Sequence, residues 1–282
     1  MPALRSSLNF HLCTHTTSQL LFGERMISYD DSNEFKITCT NEIKRQGANK
    51  ELVELTQAWI SKAVEFNYSY RFEWLGRPII QYPQDMLGLQ QLLWGIQPDV
   101  IIETGIARGG SLIFYASIME LISLCGGPKG SKVIGIDTDI REHNKIEILN
   151  HPMSKRIKMI EGSSIDPTTI SDVKNLIRKE DKVLVCLDSN HTHGHVLNEL
   201  ELYTPFVTKG SYCVVFDTIL EDISENACSD RPWGKGNNPK TAVHQFLKEE
   251  KRRNGKVRFE IDKMIEKQLM ITAAPDGFLR RK

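Results

Sequence analysis

The chain has 282 residues, enough for one large α/β domain with an appendage or for two small domains, and it can bury a sizeable core. Lysine plus arginine and aspartate plus glutamate both number 36, so no net field favours nucleic acid or an anionic membrane surface as a partner. No run of about 18 apolar residues occurs, which argues against a membrane-spanning helix, and the 6 cysteines, without a CxxC pair, read as reduced thiols of a cytoplasmic protein.

Residues 1–25 hold Arg5 and a short apolar run that His11, Thr14, His15 and Thr16 interrupt, so a signal peptide is not expected. Residues 1–49 read as a poorly ordered or irregular extension. From 50 to 65, Leu52, Leu55, Trp59, Ile60, Ala63 and Val64 recur at helical spacing. Residues 74–83 contain two prolines and a glycine and read as an ordered loop able to roof a pocket, before a helix over 84–95. Residues 50–97 are thus expected to form a helical segment packed on the core.

From residue 98 the pattern becomes alternating. Apolar strands are expected at 99–103, 132–137, 157–161, 181–188 and 212–217, with helices at 111–124, 195–203 and 241–253. Strands of continuous apolar character separated by helices imply a mostly parallel sheet covered on both faces. The tail, with segments 259–262 and 268–272, reads as a closing antiparallel pair. Residues 220–240 are rich in Asp, Asn, Gly and Pro, and their length suits a functional lid.

The candidate chemistry lies at strand ends, where open α/β sheets bind ligands. The first strand runs into Glu103-Thr104-Gly105-Ile106-Ala107-Arg108-Gly109-Gly110-Ser111, whose glycines let backbone approach a ligand at a helix N-terminus. A tight structural turn is the other reading. The spacing is not G-x-G-x-x-G and no P-loop occurs, which argues against NAD and ATP. Asp137 ends the second strand as a ribose acceptor or a helix cap, and Gly162-Ser163-Ser164-Ile165-Asp166 follows the third as an adenine edge or a cap. Asp188 and Asp217 end two later strands and either hold a divalent cation together or cap separate turns. Among His191, His193 and His195, His191 is best placed as a general base, since imidazole titrates near operating pH; a metal-binding triple is the weaker reading.

Taken together, Ile102 to Ser111, Gly135 to Asn144, Glu161 to Asp166, Leu187 to His193, Arg231 to Pro239 and Ala274 to Leu279 resemble the cephalosporin hydroxylase family. The resemblance runs from about Trp74 to the C-terminus. That family is similar to S-adenosylmethionine-dependent O-methyltransferases, including rhamnosyl O-methyltransferases. It implies a Rossmann-like methyltransferase fold over 98–282 with an antiparallel C-terminal strand. It implies that Glu103, Gly105, Ala107, Gly109 and Ser111 line the methionine part of the cofactor, Asp137 the ribose and Ser164 the adenine, with Asp188 bordering the cofactor. Magnesium is implied at Asp188 and Asp217. In the family two acidic residues precede a threonine there; here the pair is Phe216-Asp217, so one expected carboxylate is missing.

The implied reaction is methyl transfer to a hydroxyl of a sugar, glycan or other small-molecule acceptor, in surface-polysaccharide or secondary-metabolite biosynthesis, by a protein able to form homo-oligomers. The catalytic set is His191, Asp188 and Asp217, with a loop bearing Arg231, Trp233 and Asn237 to Pro239 closing over the acceptor. One alternative is a member that binds the cofactor without catalysis. A true hydroxylase using iron is the weaker one, because its facial triad needs a His-x-Asp or His-x-Glu that this chain lacks.

Overall fold

The computed structural model describes residues 31–224, 230–254 and 258–282; Cys13, Cys228 and the interrupted apolar run near the N-terminus lie outside them. The chain divides into two units at Thr38 and Cys39, and the sheet, its helices and the cavity all belong to the second. Helix α1 (Asp31–Ala48) occupies part of the segment expected to be irregular. Asn49 separates it from α2 (Lys50–Val64), accepting a hydrogen bond from the Leu52 amide as an N-cap.

Residues 74–83 are not a plain loop. Strands β1 (Phe72–Trp74) and β2 (Arg77–Ile79) form a hairpin. Leu75 and Gly76 between them both take positive φ, 48° and 81°, the two-residue turn whose twist matches a hairpin. Proline is admitted because this two-stranded ribbon leaves both strands at an edge. The Trp74 indole donates to Ser117 Oγ at 2.9 Å, fastening the hairpin to the core.

Helix α3 (Pro83–Ile96) leads into β3 (Val100–Thr104), followed by α4 (Gly110–Leu124), β4 (Lys132–Asp137), α5 (Glu142–Asn150), β5 (Ile157–Glu161), α6 (Pro167–Asn175), β6 (Val183–Leu187), α7 (His193–Tyr203) and β7 (Tyr212–Val215). All five residues of β3 and of β6 are buried; β6 reads as an unbroken apolar run, whereas β3 carries Glu103 and Thr104 at its C-terminal end. Helix α8 (Pro239–Asn254), β8 (Phe259–Ile261), α9 (Lys263–Leu269) and β9 (Phe278–Arg281) complete the chain. The seven-stranded sheet has the order β5-β4-β3-β6-β7-β9-β8, and β9 is antiparallel to both neighbours.

The closing antiparallel pair therefore uses residues 278–281, not 268–272. Asp262 caps α9 by accepting from the Met264 amide, and the helix runs on until Met270, at φ 61°, breaks it. The apolar residues expected to form a strand lie instead on that helix and its exit, with Leu269 and Ile271 packed against the core around Leu89 and Ile113.

One core lies on the α3–α4 side of the sheet, around Leu93, Ile101 and Leu112, and a second on the α7–α8 side, around Ile102, Leu200 and Val243. Among the described residues the free cysteines are Cys39, Cys125, Cys186 and Cys213, the last two fully buried. No described helix is long and apolar enough to cross a membrane.

Sheet order reverses at β3, whose neighbours are β4 and β6. The crevice at the C-terminal ends of β3 and β6 is the topological switch point. The hairpin roofs it so closely that a Cβ on Gly110 would lie 2.2 Å from the Pro78 carbonyl and 2.7 Å from Ile79 Cα. Gly110→Ala is expected to lower unfolding free energy by about 1–3 kcal/mol, measured by urea titration; an unchanged midpoint would show that the hairpin yields freely.

Candidate functional site

The loop after β3 is shaped by three left-handed residues, Gly105 (φ 91°), Ala107 (φ 47°) and Gly109 (φ 81°). A Cβ on Gly105 would sit 2.0 Å from the Asp188 carbonyl, so only glycine lets the two strand ends approach. Gly109 is the N-cap of α4, and the unpaired amides of the helix's first turn lie beside a cavity of about 500 Å³ that Gly110 and Ser111 help to line.

Glu103 sits beneath this loop, fully buried. Its Oε2 accepts from Ser111 Oγ at 2.7 Å while Oε1 has no partner. Burial pushes its pKa up to about 8. Asp137 does not cap α5, whose N-cap is Arg141. Its Oδ2 accepts from the amides of Ile106 at 2.8 Å and Ala107 at 3.2 Å, and Oδ1 accepts from the Asp139 amide. An ionised carboxylate has about four acceptor sites, so capacity for sugar hydroxyls remains. Ser164 is buried with its hydroxyl 3.0 Å from His195 Nε2, whereas Asp166 caps α6 through the Thr168 amide. Neither Asp137 nor Ser164 lines the cavity itself.

Across the crevice the ends of β6 and β7 bring Asp188, His191 and Asp217 together, each with a donor atom within 4.8 Å of the others. His191 Nε2 faces Asp217 Oδ2 at 3.1 Å. Asp217 adopts φ 54°, which turns its carboxylate into the cavity. Burial, followed by repulsion from Asp217 and Glu103, holds the Asp188 carboxyl well above the usual carboxylate range. Gln81 Nε2 approaches Asp188 Oδ2 at 3.5 Å.

A divalent cation is served only in part here. Two carboxylates are present, but the third donor is an imidazole already paired with one of them, and Phe216 lines the cavity with hydrocarbon. Magnesium takes oxygen ligands in octahedral order. The donor set does not fit it without several added waters.

The other histidines are structural. His193 Nδ1 lies 2.8 Å from Thr241 Oγ1 and Nε2 2.8 Å from Gln245 Oε1, joining α7 to α8. His195 stands among Ser164, Ser189 and the buried Glu199. Of the lid candidates, Arg231 and Trp233 line the cavity, with Trp233 edge-on to His191 at 4.8 Å and the Arg231 guanidinium 5.6 Å from the indole. Asn237 and Asn238 instead anchor the loop, to the His193 amide, the Pro232 carbonyl and the Gly234 carbonyl, and Pro239 begins α8.

Sequence reading missed three contributors. Asn67, Tyr68, Ser69 and Tyr70, just after α2, form a wall of alternating polar and aromatic side chains. Tyr82, stacked on Tyr68 at 5.9 Å, also lines the cavity, and burial together with Asp217 and Asp85 raises its hydroxyl to about 12. Asp85 is fully buried on α3, accepts from the Ala273 amide at 2.8 Å and is raised by burial to about 7. The available signal was a carboxylate in the first turn of a helix with no other charged residue.

A family model described as Rhamnosyl O-methyltransferase/CmcI matches residues 66–282. The rhamnosyl O-methyltransferase of Mycobacterium tuberculosis (strain ATCC 25618 / H37Rv) is 32% identical over 201 residues, 70% of this chain and 73% of that protein. The rhamnosyl O-methyltransferase of Mycobacterium leprae (strain TN) is 31% identical over 213 residues, 74% of this chain and 82% of that protein. A solved structure of cmcI with Mg-SAM aligns with TM-score 0.50 at 20% identity, covering 76% of this chain and 77% of that one, which shows a shared fold.

Glu103 generates a pH prediction. Its folded pKa of about 8 lies above the ordinary 4.5, so between these values the folded state keeps a proton that the unfolded chain loses. Its contribution to stability is full below about pH 4.5 and is lost as pH rises through about 8. Urea midpoints of the ligand-free protein are expected to fall relative to Glu103→Gln across that window. Parallel curves would mean that Glu103 is ionised throughout.

Proposed function

We propose, from the premise that this chain belongs to the Rhamnosyl O-methyltransferase/CmcI family, that His191 removes the proton from an acceptor hydroxyl while Asp188 and Asp217 hold that hydroxyl in place. The protein is an S-adenosylmethionine-dependent O-methyltransferase acting on a sugar or small-molecule acceptor. When bound, S-adenosylmethionine supplies a methyl group on a sulfonium, which the acceptor oxygen takes in line.

The observation that carries this reading is the convergence of the glycine loop with the Asp188–His191–Asp217 cluster on one cavity at the switch point. Ser111 and the first-turn amides of α4 suit the carboxylate of the methionine moiety, because a helix N-terminus attracts anions. Asp137 is assigned to the ribose hydroxyls and Ser164 to the adenine edge, with Gly105, Ala107 and Gly109 setting the loop's shape. Asp188 and Asp217 line the cavity and Glu103 lies beneath its loop, so a bound sulfonium would favour the ionised forms of Glu103 and Asp188. The residues thus fit the cofactor on charge as well as shape.

His191 is the proposed base, through the ring nitrogen not paired with Asp217. The proton it takes leaves an imidazolium whose Nε2 faces Asp217 Oδ2 at 3.1 Å, and that carboxylate both orients and stabilises it. Holding the hydroxyl against the donor supplies much of the acceleration.

On the acceptor side, Tyr68, Tyr70 and Trp233 offer faces for the apolar side of a sugar ring, and Asn67, Ser69 and Arg231 offer hydrogen bonds to its hydroxyls. This chemistry supports a glycan acceptor in surface-polysaccharide or secondary-metabolite biosynthesis. We assign the cofactor domain to 98–282, with 50–97 as its roof and 1–49 as an extension, and place the protein in the cytoplasm, where its thiols stay reduced. The exposed Leu52, Leu55 and Trp59 of α2 support self-association.

Calorimetry on the full chain is expected to show S-adenosylmethionine binding that Asp137→Ala abolishes. Absence of binding to the wild-type chain would overturn the reading. With an accepted sugar substrate, His191→Ala should lower turnover at least about 100-fold with cofactor affinity retained; unchanged turnover removes His191 from the role. Adding magnesium to EDTA-treated protein is expected to change neither cofactor affinity nor turnover, and a rise in either would show that Asp188 and Asp217 suffice for the ion.

A further inference from the structure

Arg77 and Asn144 stand outside the cavity, on elements assigned no part in the chemistry above. Arg77 belongs to β2 of the hairpin and Asn144 to the first turns of α5, and both are buried. They meet on the outer side of the glycine loop. Arg77 Nη2 donates to the Arg108 carbonyl at 2.6 Å and to Asn144 Oδ1 at 3.1 Å, and Asn144 Nδ2 donates to the Ala107 carbonyl at 3.1 Å. Two successive loop carbonyls are thereby each held by a side-chain donor. The inner side of Ala107, Arg108 and Gly110 lines the cavity.

Ala107 is the residue that needs such restraint. Its φ of 47° is a conformation that costs energy for any side chain and none for glycine. Residues kept in such backbone states persist only where surrounding contacts over-determine them. The hairpin and α5 also act as one body. Arg77 Nη1 lies 3.7 Å from Glu147 of α5, and His151, at the end of that helix, approaches the Leu75 carbonyl in the hairpin turn at 3.1 Å. Ile148 of α5 fills the space a Cβ on Gly109 would need, which pins the next turn of the loop.

We infer that Arg77 and Asn144 form a clamp that holds the Ala107–Arg108 peptides in the ligand-competent conformation, so that they set cofactor affinity without touching the cofactor. They are positioning residues. The inference rests on the glycine loop being the S-adenosylmethionine site. Its energetic basis is preorganisation: a loop already ordered in the bound shape loses less freedom on binding. Asp137 braces the same loop through the amides of Ile106 and Ala107, so the Ala107 peptide units are gripped from both sides.

The test compares wild-type, Asn144→Ala and Arg77→Lys chains by calorimetry with S-adenosylmethionine and by thermal melting, alongside steady-state kinetics. Arg77→Lys keeps the charge but loses the planar fork that reaches two acceptors, so it carries the test if Asn144→Ala fails to fold. Loss of a buried hydrogen bond at the loop should raise the cofactor dissociation constant about 10-fold. Turnover at saturating cofactor should stay within about twofold, the pattern of lost uniform binding. Adding Ala107→Gly to Asn144→Ala should recover part of the affinity, because glycine takes the left-handed conformation without help; a residue serving stability alone would show no such rescue. Wild-type affinity in both single variants, whatever their melting temperatures, overturns the clamp and leaves the cofactor reading intact. No binding by the wild-type chain overturns both.

Discussion

The crevice is built on the approach of two strand ends. At the switch point the Asp188 carbonyl passes where a side chain on Gly105 would have to stand, 2.0 Å from the position of its Cβ. The Asp188 amide meanwhile donates to the Thr104 carbonyl at 2.9 Å, so β3 and β6 stay in register to their last residues. That registry places the glycine loop and the Asp188–His191 segment side by side. It also puts Glu103, one residue before the end of β3, within electrostatic reach of Asp188. A larger residue at 105 would part the strands and separate the two halves of the site.

The same approach concentrates carboxylates in a place poor in water. Glu103 and Asp85 are raised to about 8 and about 7, and Asp188 is raised by burial with Asp217 beside it. Such crowding is unfavourable in the empty protein, since burying like charges costs solvation and adds repulsion. A bound cation offsets these costs and favours the ionised forms of Glu103 and Asp188. The sulfonium of the proposed cofactor is a cation of fixed charge, which accounts for a pocket rich in acids and yet poorly furnished with ligands for a metal. Phe216 contributes to that outcome, because an aromatic wall lowers local polarity without adding a donor.

Rigidity and adaptability are divided between the two sides of the cavity. The proposed cofactor side is held by parallel strands, by the Asp137 brace and by the hairpin with α5, joined through part-buried hydrogen bonds. The proposed acceptor side is assembled from the Asn67–Tyr70 stretch and the loop bearing Arg231 and Trp233, which lie outside the sheet. Loops of this kind can change residue by residue without disturbing the sheet, and relatives with one fold thereby serve different acceptors.

Local pattern determined much of this molecule. A buried parallel strand reads as an apolar run, which made 132–137 legible to the residue; the edge strand 157–161, with three apolar residues in five, was legible as well, and the positions at strand ends placed Gly105, Asp137, Asp188 and Asp217 at one rim. Helix spacing likewise made α2, α4 and α8 visible. Tertiary contact decided the rest. Residues 268–272 look like a strand by composition, but Asp262 starts a helix ahead of them and the place beside β7 is taken by 278–281. His191, His193 and His195 alternate along the chain with nothing local to tell them apart; Asp217, Gln245 and Ser164, residues distant in sequence, assign each its surroundings. Arg77 and Asn144 were silent for the same reason. Hydrophobic periodicity is a property of neighbouring residues, whereas the partner of a buried polar group is chosen by the fold, and no window along the chain contains it.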